Sequence, residues 1–501
     1  MKRSSASVHQ AGALSSFGPA TKLFTRSNSV FDQLDAYQKA AVEFALKAKM
    51  AGLFFEQGTG KTYITGGIVE RLVNEYHDEF QALIVVPLTN IESTWTTFFR
   101  ENLPHVSVAR SVEELAELPR PRVLLVHYEM MPKLVERYKK FMRATLRWHL
   151  IVYDESQRLK SRQSITSRTA AKLHDAAAFK VILSGTPMDE EPADLWAQMR
   201  FLNSDVFGSR WKDFEDRFFE PLELPSLQGV RRGSWQWHKL MREIGMAKSR
   251  RKFNAAMVPE FVQLLKPYCR RLVKEDVLDL PPITYLHEYV ALRGDQRRLY
   301  DELREKLVAT GMDLTAPLKV TQLSKLQQIT GGYVIDDNGE THCVGRAKMR
   351  RLRVILRRLG PDEKVVIFAR YVAEVGAILR ECLDMKRSVA SIIGETDKAS
   401  RTRIIDNFQK GGLQTIVSQI KTGGVGIDLF ASCHLIVYSP TYSYIDFDQA
   451  KARVHRRGQT RRVFIHLMCA ENTVDEYVYQ SLVRKDKRTA VVLNQLKELT
   501  R

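Results

Sequence analysis

The chain has 501 residues, 44% hydrophobic and 27% charged, with a mean hydropathy of -0.27, a balance that excludes a disordered or membrane-embedded polypeptide and leaves room for two or three domains. Its 77 lysines and arginines against 58 acidic residues give a net charge of +19 and a pI near 9.6, which favours a polyanionic partner, DNA or RNA, without requiring one. No run approaches the ~18 apolar residues of a membrane helix, the start MKRSSASVHQ lacks the apolar centre of a signal peptide, and five scattered cysteines form no zinc or disulfide pattern, so a soluble intracellular protein without a membrane partner is expected.

Residues 1–30 are rich in Ser, Ala and Gly without a hydrophobic period and are predicted to form a flexible arm. From residue 31, β-rich runs at 52–55, 82–86, 123–127, 150–153 and 181–183 alternate with helical stretches, which predicts a parallel α/β lobe over 31–191. Residues 192–282 mix aromatic and basic side chains (Trp211, Phe214, Phe218, Trp235, Trp237, Lys248, Arg250, Arg251, Lys252) without that rhythm, and read as a largely helical insertion and linker. Trp235 and Trp237 beside Arg231 and Arg232 could stack on bases, but packing in a core is the simpler reading. Residues 283–345 read as linker and the helical start of the second half. Next, Met349, Leu352, Ile355, Leu356 and Leu359 fall at helical spacing with arginines on the remaining face, predicting an amphipathic helix with a solvated basic side. Runs at 365–368, 388–393, 415–418, 435–438 and 463–467 predict a second α/β lobe over 346–473, and 474–501 reads as a helical tail.

The run Phe55-Glu56-Gln57-Gly58-Thr59-Gly60-Lys61-Thr62 joins an apolar strand to a helix, the setting in which a phosphate cradle is meaningful, although Phe55 holds a position usually given to a small residue. Glycines let backbone N–H groups turn onto phosphates, the helix N-terminus adds favourable potential, Lys61 can reach the β and γ phosphates and Thr62 can ligate magnesium. Gln57, Gly58, Thr59, Gly60, Lys61 and Thr62 are therefore candidate ATP-binding residues. Asp154 and Glu155 follow a strand at the edge where parallel α/β sheets present their ligands. Asp154 suits magnesium binding, and Glu155 can orient or deprotonate the attacking water. Most Asp-Glu pairs are surface turns; the cradle upstream gives this one its meaning. Leu183-Ser184-Gly185-Thr186-Pro187 by itself is only a loop. Lys421-Thr422-Gly423-Gly424-Val425-Gly426-Ile427-Asp428 follows a strand, and the cations between Gln449 and Gln459, taken alone, read as a solvated basic helix.

In this order, the segments resemble the helicase superfamily 2 core, and most closely its Swi/Snf-type branch of DNA translocases. Leu34-Asp35-Ala36-Tyr37-Gln38 looks like the adenine-reading Q motif, whose amide can donate to and accept from a base, so Tyr37 and Gln38 join the ATP-binding candidates. Pro87-Leu88 with Trp95, Ser184-Gly185-Thr186-Pro187, Phe368-Ala369-Arg370-Tyr371, and Gly394 with Arg401 and Phe408 are similar to further family motifs. Arg453 followed by His455-Arg456-Arg457-Gly458-Gln459 is characteristic of the Swi/Snf branch rather than of DEAD-box RNA helicases, and residues 269–282 look like the family's linker between lobes.

The resemblance implies an α/β fold of two RecA-like P-loop lobes with a helical insertion between them, using ATP and Mg2+. It implies catalytic roles for Lys61, Asp154 and Glu155, arginine fingers at Arg453 and Arg456, and nucleotide contacts from Gly426 and Asp428. Thr89, Ser184, Thr186, Arg370, Lys421 and Thr422 would grip the nucleic-acid backbone. The implied track is double-stranded DNA, and the implied output translocation or remodelling rather than broad strand separation. Protein partners and oligomeric state stay open, and a monomeric core is compatible with the resemblance.

This sequence departs from the family pattern at Ser156-Gln157, which replaces the usual Ala-His, at Ala452, where an acidic residue is common, and at Tyr442-Ser443, which replaces the usual Asn-Pro. None removes a phosphate-handling group, but Gln157 cannot titrate as an imidazole does, which bears on coupling between hydrolysis and movement. No chromatin-reading segment flanks the core, so a minimal bacterial or viral member is expected. Two other readings stay open: an RNA-directed or restriction-type helicase subunit, and a nucleic-acid-binding protein with a retired ATPase core. The intact Lys61, Asp154, Glu155 and Arg456 argue against the second.

Overall fold

The computed structural model describes residues 29–141, 148–189, 191–221, 251–310, 316–336, 338–420 and 428–499. The arm through residue 28, Arg231, Arg232, Trp235, Trp237, Lys248, Arg250, Lys421, Thr422 and Gly426 lie outside the described residues. Val30, assigned to the arm from sequence, instead opens the helix Val30–Gln33, capped by Ser29, and is buried in the first lobe, where its side chain joins the core around the Lys61–Tyr76 helix.

The first lobe contains β1 (Met50–Phe55), β2 (Gln81–Val86), β3 (Ser107–Ala109), β4 (Arg122–His127), β5 (Trp148–Asp154), β6 (Ala177–Leu183), β7 (Phe219–Pro221), β8 (Arg251–Phe253) and β9 (Cys269–Leu272). All except the antiparallel β7–β8 pair form one parallel seven-stranded sheet in the order β3-β4-β2-β5-β6-β1-β9. Helices cover both faces, so the strands are apolar on both sides. Leu53 and Phe55 enter one core with Ile64, Ile68 and Leu72 of the helix Lys61–Tyr76, and Phe54 enters the other. β9 falls in the segment read from sequence as linker, yet it pairs with β1 along its length. Its two arginines hid it from a hydrophobic-pattern reading. They are accommodated because Arg271 donates to the carbonyls of Phe54 (2.8 Å) and Gly185 (3.1 Å), and the Arg270 guanidinium lies 3.8 Å from the centre of the Phe44 ring.

In the segment read as a helical insertion, the helices Asp194–Leu202, Trp211–Phe218 and Val258–Leu265, with the turn between the first two, pack Phe207, Phe214, Phe218 and Phe261 into the core on the Phe54 face. Phe207 and Phe261 stack with ring centres 4.6 Å apart, so the aromatic texture of the described part is a packed layer.

The second lobe contains β10 (Ile283–Val290), β11 (Tyr333–Ile335), β12 (Thr341–Cys343), β13 (Val365–Ala369), β14 (Val389–Ile392), β15 (Thr415–Gln419), β16 (His434–Val437) and β17 (Val463–Ala470). Six of these form a parallel sheet in the order β10-β17-β16-β13-β15-β14, and β11–β12 is a separate hairpin. β10 lies where sequence suggested linker and helix; it is an edge strand whose Tyr285, His287 and Tyr289 are exposed, which erases the usual alternation. The helices Gly294–Thr310 and Ala316–Gly331 follow it. The helix Tyr444–Val454 packs with Phe368 and Val437 on one face of the sheet, and the helix Ala347–Leu359 packs with Ile367 and Ile436 on the other. The final described helix, Val474–Leu499, begins in the second lobe, where buried Asp475 meets buried Lys348 at 2.6 Å. It then buries Val492, Leu493 and Leu496 in the first lobe's core. Among the described residues no helix is long and apolar enough to cross a membrane.

Candidate active site

The cradle is built where β1 ends. Gly58 and Gly60 both adopt positive φ, +87° and +80°, which side-chain-bearing residues rarely tolerate, and Gly60 caps the helix Lys61–Tyr76. A Cβ on Gly60 would lie 2.2 Å from Nε2 of Gln38. That amide donates to Thr59 O (3.1 Å), the Tyr37 hydroxyl donates to the same oxygen (3.0 Å), and Gln38 Oε1 accepts from Asp35 N (2.9 Å). The residues expected to read adenine thus brace the cradle, with both ends of the Gln38 amide engaged by the chain itself. Lys61 Nζ donates to Phe55 O at 2.9 Å, folded onto its own loop. Burial lowers its pKa, and the Glu155 and Asp154 carboxylates oppose that shift.

Asp154 ends β5, and Glu155 follows at a φ of +53°, which turns the chain sharply away from the sheet. Burial, reinforced by the neighbouring Glu155 charge, pushes the Asp154 carboxyl up to about 6, while Lys61 and an indole hydrogen bond from Trp95 pull it down. Trp95 Nε1 donates to Asp154 Oδ2 at 3.1 Å from a π-helical turn, Ile91–Thr96, while Oδ1 accepts from Glu155 N at 3.0 Å. From Glu155 a hydrogen-bonded relay runs inward. Gln157 Nε2 donates to Glu155 Oε2 (2.6 Å), Ser184 Oγ donates to Gln157 Oε1 (2.6 Å), and Thr186 N donates to Ser184 Oγ (3.1 Å). The amide of Gln157 therefore links the Asp-Glu pair to the loop after β6, and it does so without a titratable group.

The second lobe closes the same cleft. The space, of about 670 Å³, is bounded by Lys61, Thr62, Asp154 and Glu155 on one side and by Asp428, Arg453 and Arg456 on the other. Arg453 is buried, its Nη2 3.5 Å from Gln57 Oε1 of the cradle. Burial brings its pKa down to about 10, opposed by Glu155, so it stays charged at neutral pH. A Cβ placed on Gly58 would lie 3.6 Å from the Arg456 Cβ, which puts that residue over the cradle, although its guanidinium is turned onto Asp428. Arg457 crosses between the lobes to Asp35 at 2.7 Å, and Lys274 Nζ donates to His455 O at 3.3 Å.

The candidate nucleic-acid contacts divide. Thr89, exposed, follows β2, and Arg370 follows β13 with its guanidinium over the rings of Tyr371 (5.6 Å) and Tyr442 (5.3 Å). Ser184 and Thr186 are buried, Ser184 in the relay and Thr186 against the cavity behind the cradle, so neither is open to a polymer. Residues that sequence reasoning missed are Arg271, which pairs with Glu56 of the cradle at 2.6 Å, and Trp95 as a partner of Asp154. Trp95 was visible as a motif landmark; nothing in spacing or composition marks Arg271, since its partner is more than two hundred positions away.

The SNF2-related domain family matches residues 37–333, and the helicase conserved C-terminal domain family matches 347–458. YwqA of Bacillus subtilis is 25% identical over 468 residues, covering 89% of this chain and 47% of that protein. The ISWI chromatin-remodeling complex ATPase ISW1 of Saccharomyces cerevisiae is 23% identical over 497 residues, covering 92% and 41%. The DNA repair and recombination protein RAD54B of Gallus gallus is 24% identical over 453 residues, covering 83% and 48%. The chain thus spans less than half the length of these relatives. The solved Sulfolobus solfataricus SWI2/SNF2 ATPase core in complex with dsDNA shares 22% identity, with 95% of this chain and 96% of that one covered and a TM-score of 0.41. With more than half of its length matched by one family, and the cradle, the Asp-Glu pair and the basic segment on two parallel α/β lobes around one cleft, the chain belongs to the SNF2-related family, its second lobe being a helicase C-terminal domain.

Proposed function

We propose that the chain is an ATP hydrolase that uses closure of its two lobes to move along double-stranded DNA. The observation that carries this reading is the convergence of Lys61, Asp154 and Glu155 with Arg453 and Arg456 on one cleft from opposite lobes. Lys61 exchanges the Phe55 carbonyl for the β and γ phosphates, Glu155 orients the attacking water, and Arg453 and Arg456 neutralise charge on the transferring phosphoryl group. Gln57, Gly58, Thr59, Gly60 and Thr62 surround the phosphates, and Asp428 of the second lobe holds Arg456 at the cleft. Tyr37 and Gln38 support the cradle and adjoin the base. Thr62 and Asp154 supply hard oxygen donors, and the adjacent buried carboxylates of Asp154 and Glu155 suit a divalent cation. Mg2+ held by Thr62 and Asp154 would supply charge neutralisation for the phosphates. Thr89 and Arg370, just past strand ends in different lobes, and a net charge of +19 support a track held by its phosphates, hence little sequence preference.

The test is ATP turnover with duplex DNA, single-stranded DNA, RNA or no polymer. Duplex DNA is expected to stimulate most. Lys61→Ala and Glu155→Gln are expected to abolish turnover, and Arg456→Ala to keep ATP binding while losing about 10³-fold in rate. Basal turnover untouched in all three variants would overturn the reading. Preferential stimulation by RNA would redirect it to an RNA-directed helicase.

A further inference from the structure

The basic helix of the second lobe is not used by the nucleotide site. Six arginines cap or occupy Ala347–Leu359, and the helix contains no acidic residue. Arg346, Arg350, Arg353 and Arg357 follow at intervals of four, three and four, which aligns them in one stripe about 16 Å long. On the far side of the helix Met349, Leu352, Ile355 and Leu356 are buried. Arg353 pairs with Glu381, but Arg346, Arg350 and Arg357 are exposed and have no acidic partner among the described residues. The charges of Arg346 and of Arg380, on the adjacent helix Val372–Asp384, both reach the Tyr333 phenol, so the basic surface widens at that end.

This arrangement works against the helix. Arginines four apart repel each other, and Arg346 at the N-cap opposes the helix dipole, although Arg357 and Arg358 in the last turn favour it. A face that only needed solvation would be served by mixed lysine and glutamate; a local rule broken without a structural gain marks a functional surface. The stripe also sits on the face of the second sheet opposite the Tyr444–Val454 helix that brings Arg453 to the cleft, so it is separate from the nucleotide site.

We infer that the stripe is a second docking surface for the DNA backbone, engaging phosphates of a duplex outside the stretch gripped between the lobes. The inference rests on the duplex-motor reading above. A guanidinium fork matches phosphate oxygens in a way an ammonium does not, and 16 Å of duplex axis presents roughly ten phosphates.

The experiment compares the full chain with the double variant Arg350→Gln/Arg357→Gln, which alters two exposed side chains that have no acidic partner among the described residues and should leave the fold intact. Binding to a fluorescent 60-base-pair duplex is titrated at several salt concentrations beside ATP turnover. The variant is expected to bind about tenfold more weakly, with the slope of log K against log salt reduced by about two. Its turnover without DNA, and at saturating DNA, should be unchanged. The double lysine variant should retain most of the salt slope. Unchanged affinity and slope in the glutamine variant overturn the inference while leaving the motor intact. So does a polyglutamate peptide that binds the unaltered chain and loses that binding in the variant while duplex affinity holds. An unaltered chain that binds no duplex overturns the motor reading and this inference together.

Discussion

Arg456 illustrates how much of the chemistry hangs on single side chains. Its guanidinium pairs with Asp428 of its own lobe, so the cation proposed to meet the γ-phosphate already has a partner within that lobe. A partly exposed ion pair of this kind is worth about 1 kcal/mol, and it holds the finger back by that amount. Asp428→Asn is therefore expected to raise ATP turnover in the absence of nucleic acid about fivefold. A fall in that rate would mean that Asp428 serves the nucleotide directly. That Arg453, Arg456, Lys61 and the Asp-Glu pair line one cleft agrees with their motifs, since each motif constrains its own neighbours. The Asp428–Arg456 pair was not legible in the sequence, since both residues already had a reading at the nucleotide and nothing in one dimension says that they touch. Gln38, Ser184 and Thr186 teach the same lesson: the sequence marks them as motif residues, but which hydrogen bonds they spend on the protein is fixed by packing.

Among the elements, the long strands were legible because each is buried on both faces and reads as an apolar run. β3 is too short to register, β9 is half arginine, and β10 exposes aromatic residues along an edge, so all three escaped a reading based on hydrophobic period. The helices Ala347–Leu359 and Val474–Leu499 were visible, but the bond between them was not. Lys348 and Asp475 are both fully buried, and Asp475 also accepts from Thr330 Oγ1 (3.0 Å) and Ala470 N (3.1 Å). Removing the lysine leaves a carboxylate without its cation in the core. Lys348→Ala and Lys348→Met are each expected to cost about 3–5 kcal/mol in chemical denaturation, because the loss is of charge rather than volume. A Met variant as stable as the parent would show that packing, not pairing, holds this junction.

For the molecule as a whole, the lobes are tied at more places than the cleft. Arg457 of the second lobe holds Asp35 of the first, Lys497 of the C-terminal helix holds Asp276 at 2.6 Å, and the same helix packs Leu496 into the first lobe. Leu496→Ala, at a position read from sequence as tail, is expected to destabilise the first lobe by about 2–5 kcal/mol in thermal unfolding. An unchanged transition would show that this turn of helix merely rests on the surface. The position of β9 also matters during synthesis. Without it β1 is the outermost strand of its sheet, and the backbone groups that now pair Gly52 with Tyr268 and Glu56 with Leu272 are bare. A nascent chain therefore carries an open β edge directly beneath the phosphate cradle until residue 272 has left the ribosome. Polysomes crowded with this message hold many such edges side by side, so chaperone demand and inclusion-body formation should centre on that interval of elongation.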